Sequence, residues 1–296
     1  MTLTVFILVF FSAAVHVSWN TFVKTSRDKV SFAWLTPLAS TAILVPVFVA
    51  FRLVQPGPLY GEVVGWAALS GFFEAIYIIL LFSAYDRADL SVVYPLSRGV
   101  APLVTLALGG LLLSDAVTTW HGLAVLIVVA GVTSVSFSVR TAANPGHSLR
   151  GVALALATGC MIAGYHLVDR RAMTLTPTPN PLEYLFIMHC FLALSMSAWI
   201  VVSRSRRKRA FNEWPVNKRG IFIVGFGSTF GYLLIMLALR LGNVTYITAG
   251  RNVGIVISTA VGALFLKERV GWKRALGAVL IVLGVAALVL LRPSDR

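Results

Sequence analysis

Charged residues are scarce in this sequence of 296 residues, and acidic ones are scarcer still. Only 12% of the residues are charged, with 11 Asp and Glu against 25 Lys and Arg, whereas 58% are hydrophobic. A soluble domain of this size needs far more polar surface. The formal net charge of +14 does not indicate nucleic acid binding, because the cations are concentrated in short segments between apolar runs. That distribution is typical of membrane proteins.

Motifs for catalysis and for metal binding are also lacking. The chain has two cysteines, Cys160 and Cys190, each inside an apolar run, so neither a disulfide framework nor a cysteine metal site is indicated. The sequence contains no P-loop, no Gly-x-Ser-x-Gly nucleophile motif and no cluster of His, Cys, Asp and Glu at metal-ligand spacing. We therefore expect no enzymatic activity, no ATP hydrolysis, no cofactor and no bound metal.

Long apolar segments are what the sequence has in abundance. About 20 apolar residues suffice to cross roughly 30 Å of hydrocarbon. The sequence predicts ten such helices, and with them an all-α, multi-pass integral protein of the cell (inner or cytoplasmic) membrane. The predicted helices cover residues 3–24, 31–53, 62–84, 90–113, 117–139, 150–170, 182–203, 219–240, 244–266 and 271–291.

The two halves of the chain repeat one another. A shift of 153 residues aligns Arg98 with Arg251, Gly109 with Gly262, Asp115 with Glu268, and Gly131 with Gly284. A somewhat shorter shift matches Trp19 with Tyr165 and Lys24 with Arg170. Each half, residues 1–143 and 144–296, then holds five predicted helices. Because five is odd, the second half enters the membrane from the opposite side, and the pattern predicts an inverted repeat of the kind found in transporters.

Arg98 and Arg251 lie well inside predicted helices 4 and 9. A charge near the bilayer centre costs at least a few kcal/mol, so it normally lines a cavity or meets a partner. Tyr94 stands one turn before Arg98, and Asn252 directly follows Arg251, which indicates a polar surface on each helix. We expect these four residues to bind a substrate. Kinks or unwinding are expected near Pro95 and Pro102 in one helix, and near Gly250 and Gly254 in the other.

Glu74 is the one acidic residue that the sequence predicts well inside a membrane segment, and Tyr77, one turn further on, is a further candidate for substrate binding. Three roles are compatible with it: structural counter-ion of an intramembrane arginine, proton-coupling group, or ligand of a substrate ammonium. The repeat-matched pair Trp19 and Tyr165 is assigned either to the wall of a binding cavity or to anchoring at the membrane interface.

Two stretches resemble the EamA-type family of the drug/metabolite transporter superfamily. They are residues 18–24, which end the first helix, and residues 262–271, which precede a last helix that contains glycines. The first-half counterpart departs from the pattern, with Ser114, Asp115 and Ala116 where the second half has Lys267, Glu268 and Arg269. The resemblance implies two five-helix repeats and a transporter, and it favours export.

The small multidrug exporters of the same superfamily use a glutamate in the first helix to bind lipophilic cations, and this chain lacks one. Two central arginines would repel such a cation. We therefore expect a secondary transporter for a small anionic or zwitterionic metabolite, such as an amino acid, working by alternating access as a monomer or homodimer. The alternative is a flippase-like translocator of lipid or of a phospho- or phosphonate compound that uses the same arginines.

The orientation in the membrane has two conflicting indications. Lys and Arg are concentrated between predicted helices 1 and 2, 7 and 8, and 9 and 10, with a cluster at Arg204, Arg206, Arg207, Lys208 and Arg209. The positive-inside rule places these loops in the cytoplasm and both termini outside. The family resemblance implies the opposite orientation, with both termini inside.

Overall fold

The computed structural model is helical throughout most of the residues it describes, which are 1–24, 26–87, 90–115, 117–138, 149–264 and 271–291. Within these ranges the side chains of residues 19–24, 90–92, 94, 95, 136–138 and 262 fall outside the description. The predicted binding roles of Trp19 and Tyr94 therefore lie outside the described side chains.

Eleven helices form in the described residues. They are α1 (Leu3–Lys24), α2 (Lys29–Val54), α3 (Gly61–Tyr85), α4 (Leu90–Leu113), α5 (Thr119–Ser138), α6 (Leu149–Met173), α7 (Pro181–Val201), α8 (Arg204–Leu241), α9 (Val244–Gly250), α10 (Val253–Leu264) and α11 (Trp272–Leu290). Side chains mark several starts. Asp28, Asn180 and Asn243 each accept a hydrogen bond from the backbone N–H two residues further on, and so cap α2, α7 and α9.

Seven of the described helices are long and apolar enough to cross a membrane, and shorter apolar stretches lie at Leu3–Ser18 and Thr119–Val135. The all-helical, multi-pass membrane architecture predicted from hydropathy is confirmed. Two of the eleven helices, α9 and α10, have 7 and 12 residues. Neither spans 30 Å of hydrocarbon alone, since a helix rises 1.5 Å per residue.

The longest helix, α8, differs from the prediction. It begins at Arg204, has a kink at Asn217 (φ −120°, ψ 16°) and continues to Leu241, whereas hydropathy predicts a helix only from residue 219 and a basic loop before it. A helix rich in arginine gives no hydropathy signal, so its start is invisible to that criterion. Glu213 fixes it in place, because its carboxylate accepts hydrogen bonds from the N–H groups of Arg27 and Asp28 at 3.3 and 2.9 Å.

Glycines allow helices of the two halves to meet backbone to backbone. A Cβ added to Gly131 in α5 would lie 2.7 Å from the carbonyl oxygen of Gly277 in α11. In the same helix pair, a Cβ on Gly284 would lie 2.8 Å from the carbonyl oxygen of Ala124. Neither position tolerates a side chain without movement of the main chain, so α5 and α11 form a tightly packed pair.

The first helix of each half lies among helices that carry polar residues. α1 packs against α8, α9 and α10, and α6 packs against α3 and α4. These contacts bring His16 of α1, Glu74 of α3, Arg98 of α4, and Tyr165 with His166 of α6 towards the interior of the bundle. The hydrophobic core continues around them, through residues such as Ile162, Met188 and Ile247.

Candidate functional site

The helix that carries Arg251 is interrupted at that residue. Arg251 and Asn252 form a turn between α9 and α10. The amide N–H of Asn252 donates to Ala249 O at 3.1 Å, and that of Ile255 donates to Asn252 O at 2.9 Å. These bonds span three residues and not the four of an α-helix. The interruption lies between Gly250 and Gly254, where the sequence predicts a kink, whereas α4 remains helical through Pro95 and Pro102.

Each of the two arginines contacts a histidine from the first helix of its own half. Nη2 of Arg98 lies 3.2 Å from Nε2 of His16, and Nη1 of Arg251 lies 2.5 Å from Nε2 of His166. A guanidinium has donors only, so each histidine accepts the hydrogen bond through a nitrogen that carries no proton. A neutral histidine orients a guanidinium without cancelling its charge.

Both arginines face one region, which is lined by aromatic rings. Each lies within electrostatic reach of His16, His166 and Tyr165. The ring centroid of Tyr165 is 6.0 Å from that of Tyr77 and 6.1 Å from that of Tyr232. The guanidinium carbon of Arg251 lies 5.8 Å from the centre of the Tyr232 ring. Three tyrosines from α3, α6 and α8 thus form one group, and Arg251 at the helix interruption lies over the Tyr232 ring.

Glu74 lies near this region but forms no direct ion pair with Arg251. Glu74 interacts electrostatically with Arg251 and Asp169. Among the described residues, however, no N···O distance of 4.0 Å or less joins Glu74 to Arg251. Its Oε2 atom is buried and has no hydrogen-bond partner in the described part of the chain.

A second acidic residue, Asp169, lies inside the bundle, so the prediction that Glu74 is the only one is wrong. Hydropathy ends the sixth helix at residue 170 and treats Asp169 as part of its polar end. The helix in fact continues to Met173, and Asp169 is 0% exposed. Its carboxylate accepts hydrogen bonds from the hydroxyl of Tyr184, at 2.7 Å, and from that of Tyr232. The spacing from Tyr165, one helical turn, is the sequence signal that could have revealed it.

Comparison with known proteins agrees with this architecture. Residues 149–290 match the EamA-like transporter family. This match lies in the second half of the chain, which is therefore similar to the EamA-like transporter family. Its fold is also similar to a solved structure described only as the crystal structure of a protein, with a TM-score of 0.74 and 19% identity over 98% of each chain. At that identity the likeness shows the fold alone. No curated protein matches the sequence.

The family match confirms the resemblance inferred from the sequence, and together with the apolar helices it supports a multi-pass membrane transporter. A transporter family implies a small-molecule substrate and a membrane environment. Part of the motif that suggested the family, residues 265–270, lies outside the described residues.

A buried ion pair connects several helices at one end of the bundle. The sequence indicates its two residues only as matched positions of the repeat and does not predict their contact. Asp115, after α4, accepts hydrogen bonds from Arg170 at the end of α6, and also from the N–H of Val244 at 3.0 Å. Arg170 donates to Leu239 O as well. One carboxylate therefore connects the ends of α4 and α6 to the start of α9.

The structure assembles most of the predicted binding residues whose side chains it describes. Arg98, Arg251, Tyr165 and Tyr77 border one region. Asn252 lies at the helix interruption, 2% exposed, with no hydrogen-bond partner for Oδ1 among the described residues. Residues of the same region that the sequence does not assign to the site are His16, His166, Asp169 and Tyr232.

Proposed function

We propose that this EamA-like protein is a secondary transporter of a small anionic or zwitterionic organic metabolite, such as an amino acid, and that it works by alternating access. The observation that carries the proposal is the pair of arginines, each oriented by a neutral histidine and both directed towards one region lined by tyrosines. A planar guanidinium binds carboxylate, phosphonate or sulfonate oxygens through two parallel hydrogen bonds. Tyrosine rings supply the apolar walls of the site.

An amino acid suits the site because a second group is available beside Arg251. The buried Oδ1 of Asn252 has no partner in the described residues. In the proposed complex Arg251 binds the carboxylate of the substrate, and this amide oxygen accepts a hydrogen bond from its ammonium. A buried polar atom without a partner is costly, so a ligand that supplies the missing hydrogen bond gains affinity.

The proposed alternating access rests on two inverted five-helix repeats, residues 1–143 and 144–296, and on ten membrane spans in which α9 and α10 together form the ninth. Packing around two pairs of glycines supports this arrangement. Gly131 with Gly277 corresponds, at the same shift of 153 residues, to Gly284 with Ala124, and both contacts occur between α5 and α11. Gly71 packs α3 against α7, and Gly225, which follows it by 154 residues, packs α8 against α2. An inverted repeat is expected to produce such paired contacts.

We propose that the protein resides in the cell (inner or cytoplasmic) membrane and exports its substrate, as the family resemblance implies. The proposed functional unit is a monomer or a homodimer. Gly131 of α5 and Gly277 and Gly284 of α11 make their close contacts within the protomer, so a homodimer would need another surface.

Thermal unfolding of the purified protein tests the substrate class. The ligands are acidic and neutral amino acids, organic phosphonates and sulfonates, and tetraphenylphosphonium as a lipophilic cation. A ligand at about 100 times its Kd stabilises the folded state by about 2.7 kcal/mol, which raises Tm. We expect anions or zwitterions to raise Tm and to exchange across liposomes that contain the protein. Arg251→Ala should abolish both effects, whereas Arg150→Ala, at an exposed position at the start of α6, should not.

Other outcomes would redirect the assignment. Stabilisation and transport of tetraphenylphosphonium alone would contradict it. Movement of a fluorescent phospholipid between bilayer leaflets, without exchange of soluble anions, would instead favour a lipid translocator that uses the same arginines. Radiolabelled substrate in vesicles of known orientation gives the direction of transport.

A further inference from the structure

Asp169 is a buried carboxylate whose two oxygens are both satisfied by hydroxyl donors. Tyr184 of α7 donates to Oδ1 at 2.7 Å, and Tyr232 of α8 donates to Oδ2. Asp169 itself is 0% exposed. The ionised form of this side chain therefore has a donor at each oxygen, one from α7 and one from α8.

Glu74 lies near Asp169 but differs from it in its hydrogen bonding. The two carboxyl groups lie within electrostatic reach of each other, but Oε2 of Glu74 is buried with no hydrogen-bond partner in the described residues. A second ionised carboxylate close to the first, with a buried oxygen that has no donor among the described residues, is disfavoured. Of two such carboxyl groups, the one without hydrogen-bond donors is the one that more readily keeps a proton.

We propose that Glu74 and Asp169 form the proton-binding site of this transporter, and that in the present conformation the pair holds one proton, on Glu74. The inference rests on the proposed transport function and names its coupling ion. Asp169 acts on Glu74 through its negative charge and is a positioning residue. The proton is bound when Glu74 becomes a carboxylic acid and is released when its carboxylate forms, so no other reactant is required.

The groups around Glu74 are consistent with this assignment. Glu74 interacts electrostatically with Asp169 and Tyr165 of α6, with Tyr232 of α8 and with Arg251 between α9 and α10. Tyr77 follows Glu74 by one turn on α3. Tyr184 of α7 reaches the pair through Asp169. Both oxygens of Asp169 accept hydrogen bonds from tyrosine hydroxyls, which leaves the pair poorly suited to coordinate a metal cation.

Arg251 connects the proton site to the proposed substrate site. Its positive charge is felt by both carboxyl groups. An oxyanion bound to Arg251 offsets that charge and makes a negative Glu74 less favourable. Proton binding and anion binding are therefore linked, and by thermodynamic reciprocity each favours the other.

Infrared spectroscopy of the purified protein in liposomes tests the site without any knowledge of the substrate. We expect the wild type to show the carbonyl band of a protonated, buried carboxylic acid that is lost at alkaline pH. Glu74→Gln should remove the band and, because glutamine resembles the protonated acid in shape and charge, should leave Tm unchanged. Glu62→Gln is the matched control, since Glu62 is exposed in the first turn of the same helix, and it should keep the band.

Two further variants refine the test. Glu74→Asp keeps an acid in place and should move the band in frequency. Asp169→Asn removes the neighbouring negative charge, so the band should disappear at a pH lower by on the order of one unit. A wild-type spectrum without the band, or a band that persists in Glu74→Gln, would overturn the proposal. Transport of anions by a protein without the band would refute the proton site alone, whereas the band in a protein that moves only lipophilic cations would refute the proposed function alone.

Discussion

The guanidinium of Arg170 donates two hydrogen bonds to the carboxylate of Asp115, at 2.9 and 3.1 Å. Both side chains are largely buried, with 15% and 8% of their surfaces exposed. The N–H of Val244, the first residue of α9, donates to the same carboxylate. The pair thus fixes the start of the short helix whose far end carries Arg251, and it connects one end of the bundle to the proposed binding site.

Asp115→Asn should destabilise the protein markedly. Removal of one partner from a buried ion pair leaves the other charge uncompensated, at a cost of about 3–5 kcal/mol. Thermal unfolding in detergent measures the loss. Arg209→Ala is the control, because the Arg209–Asp28 pair has 52% and 23% of its side-chain surfaces exposed, and it should cost less than about 1 kcal/mol. Equal effects of the two substitutions would show that Asp115 has no special role.

Arg251→Ala and Arg98→Ala should each weaken the binding of an anionic or zwitterionic ligand. Loss of a desolvated contact to an oxyanion costs on the order of 2–5 kcal/mol. Lysine at either position should restore only part of the affinity, since an ammonium keeps the charge but loses the planar fork. We expect the larger effect at Arg251, because it lies at the helix interruption next to Asn252. Ligand-dependent shifts in Tm measure both effects.

The same arginine variants also test a purely structural role. If the arginines only compensate a partner such as Glu74, the alanine variants should express poorly, and combining Arg251→Ala with Glu74→Gln should recover stability. Wild-type transport in both single alanine variants would refute the binding site as a whole.

His166→Ala should weaken ligand binding through Arg251. The substitution removes the acceptor of a hydrogen bond from a charged donor, which is worth about 1.5–3 kcal/mol, and frees the guanidinium to adopt other orientations. His189→Ala provides the comparison, since His189 is also buried but bonds to Leu185 O of its own helix. Its ligand affinity should equal that of the wild type. Titration of both variants with the best ligand from the thermal screen gives the result.

Gly131→Ala should loosen the contact between α5 and α11. The added methyl group would overlap the carbonyl oxygen of Gly277, and overpacking of this kind costs about 1–3 kcal/mol. Gly122→Ala, in the same helix, places a methyl group where no atom lies within 4 Å, and it should be neutral or stabilising, since alanine is the better helix former. Measured Tm values for the two variants should therefore move apart. A stable Gly131→Ala protein would contradict the tight packing.

A reporter fused to the C-terminus should be inactive if it functions only in the cytoplasm. The basic residues at the start of α8 lie on the side of the bundle opposite to the chain ends, because seven proposed spans, an odd number, precede them. The positive-inside rule then places the termini outside. An active cytoplasmic reporter would instead support the orientation implied by the family resemblance.

The sequence predicts the bundle and its two arginines well, because both depend on signals that hydropathy and repeats carry. A charge such as Arg251 inside an apolar run is conspicuous, and the glycines beside it mark the segment that becomes the interruption. Asp169 escapes prediction because it precedes Arg170 and Arg171 near the predicted end of a helix, where polar residues are ordinary. The start of α8 escapes prediction because its residues are basic and mostly exposed, and because Glu213 contacts residues 27 and 28, which are far away in the sequence.

The close contact of α5 with α11 has a consequence for inhibitors. Because the main chains of α5 and α11 touch at glycines, these two helices should move as one rigid unit. The motion of alternating access must then occur in the other helices and in the short joint at Arg251 and Asn252. In the proposed mechanism that joint also holds the solute. A rigid molecule that satisfies Arg251 and Asn252 together would therefore brace the joint and stop turnover, while a flexible one of the same charge would be carried through.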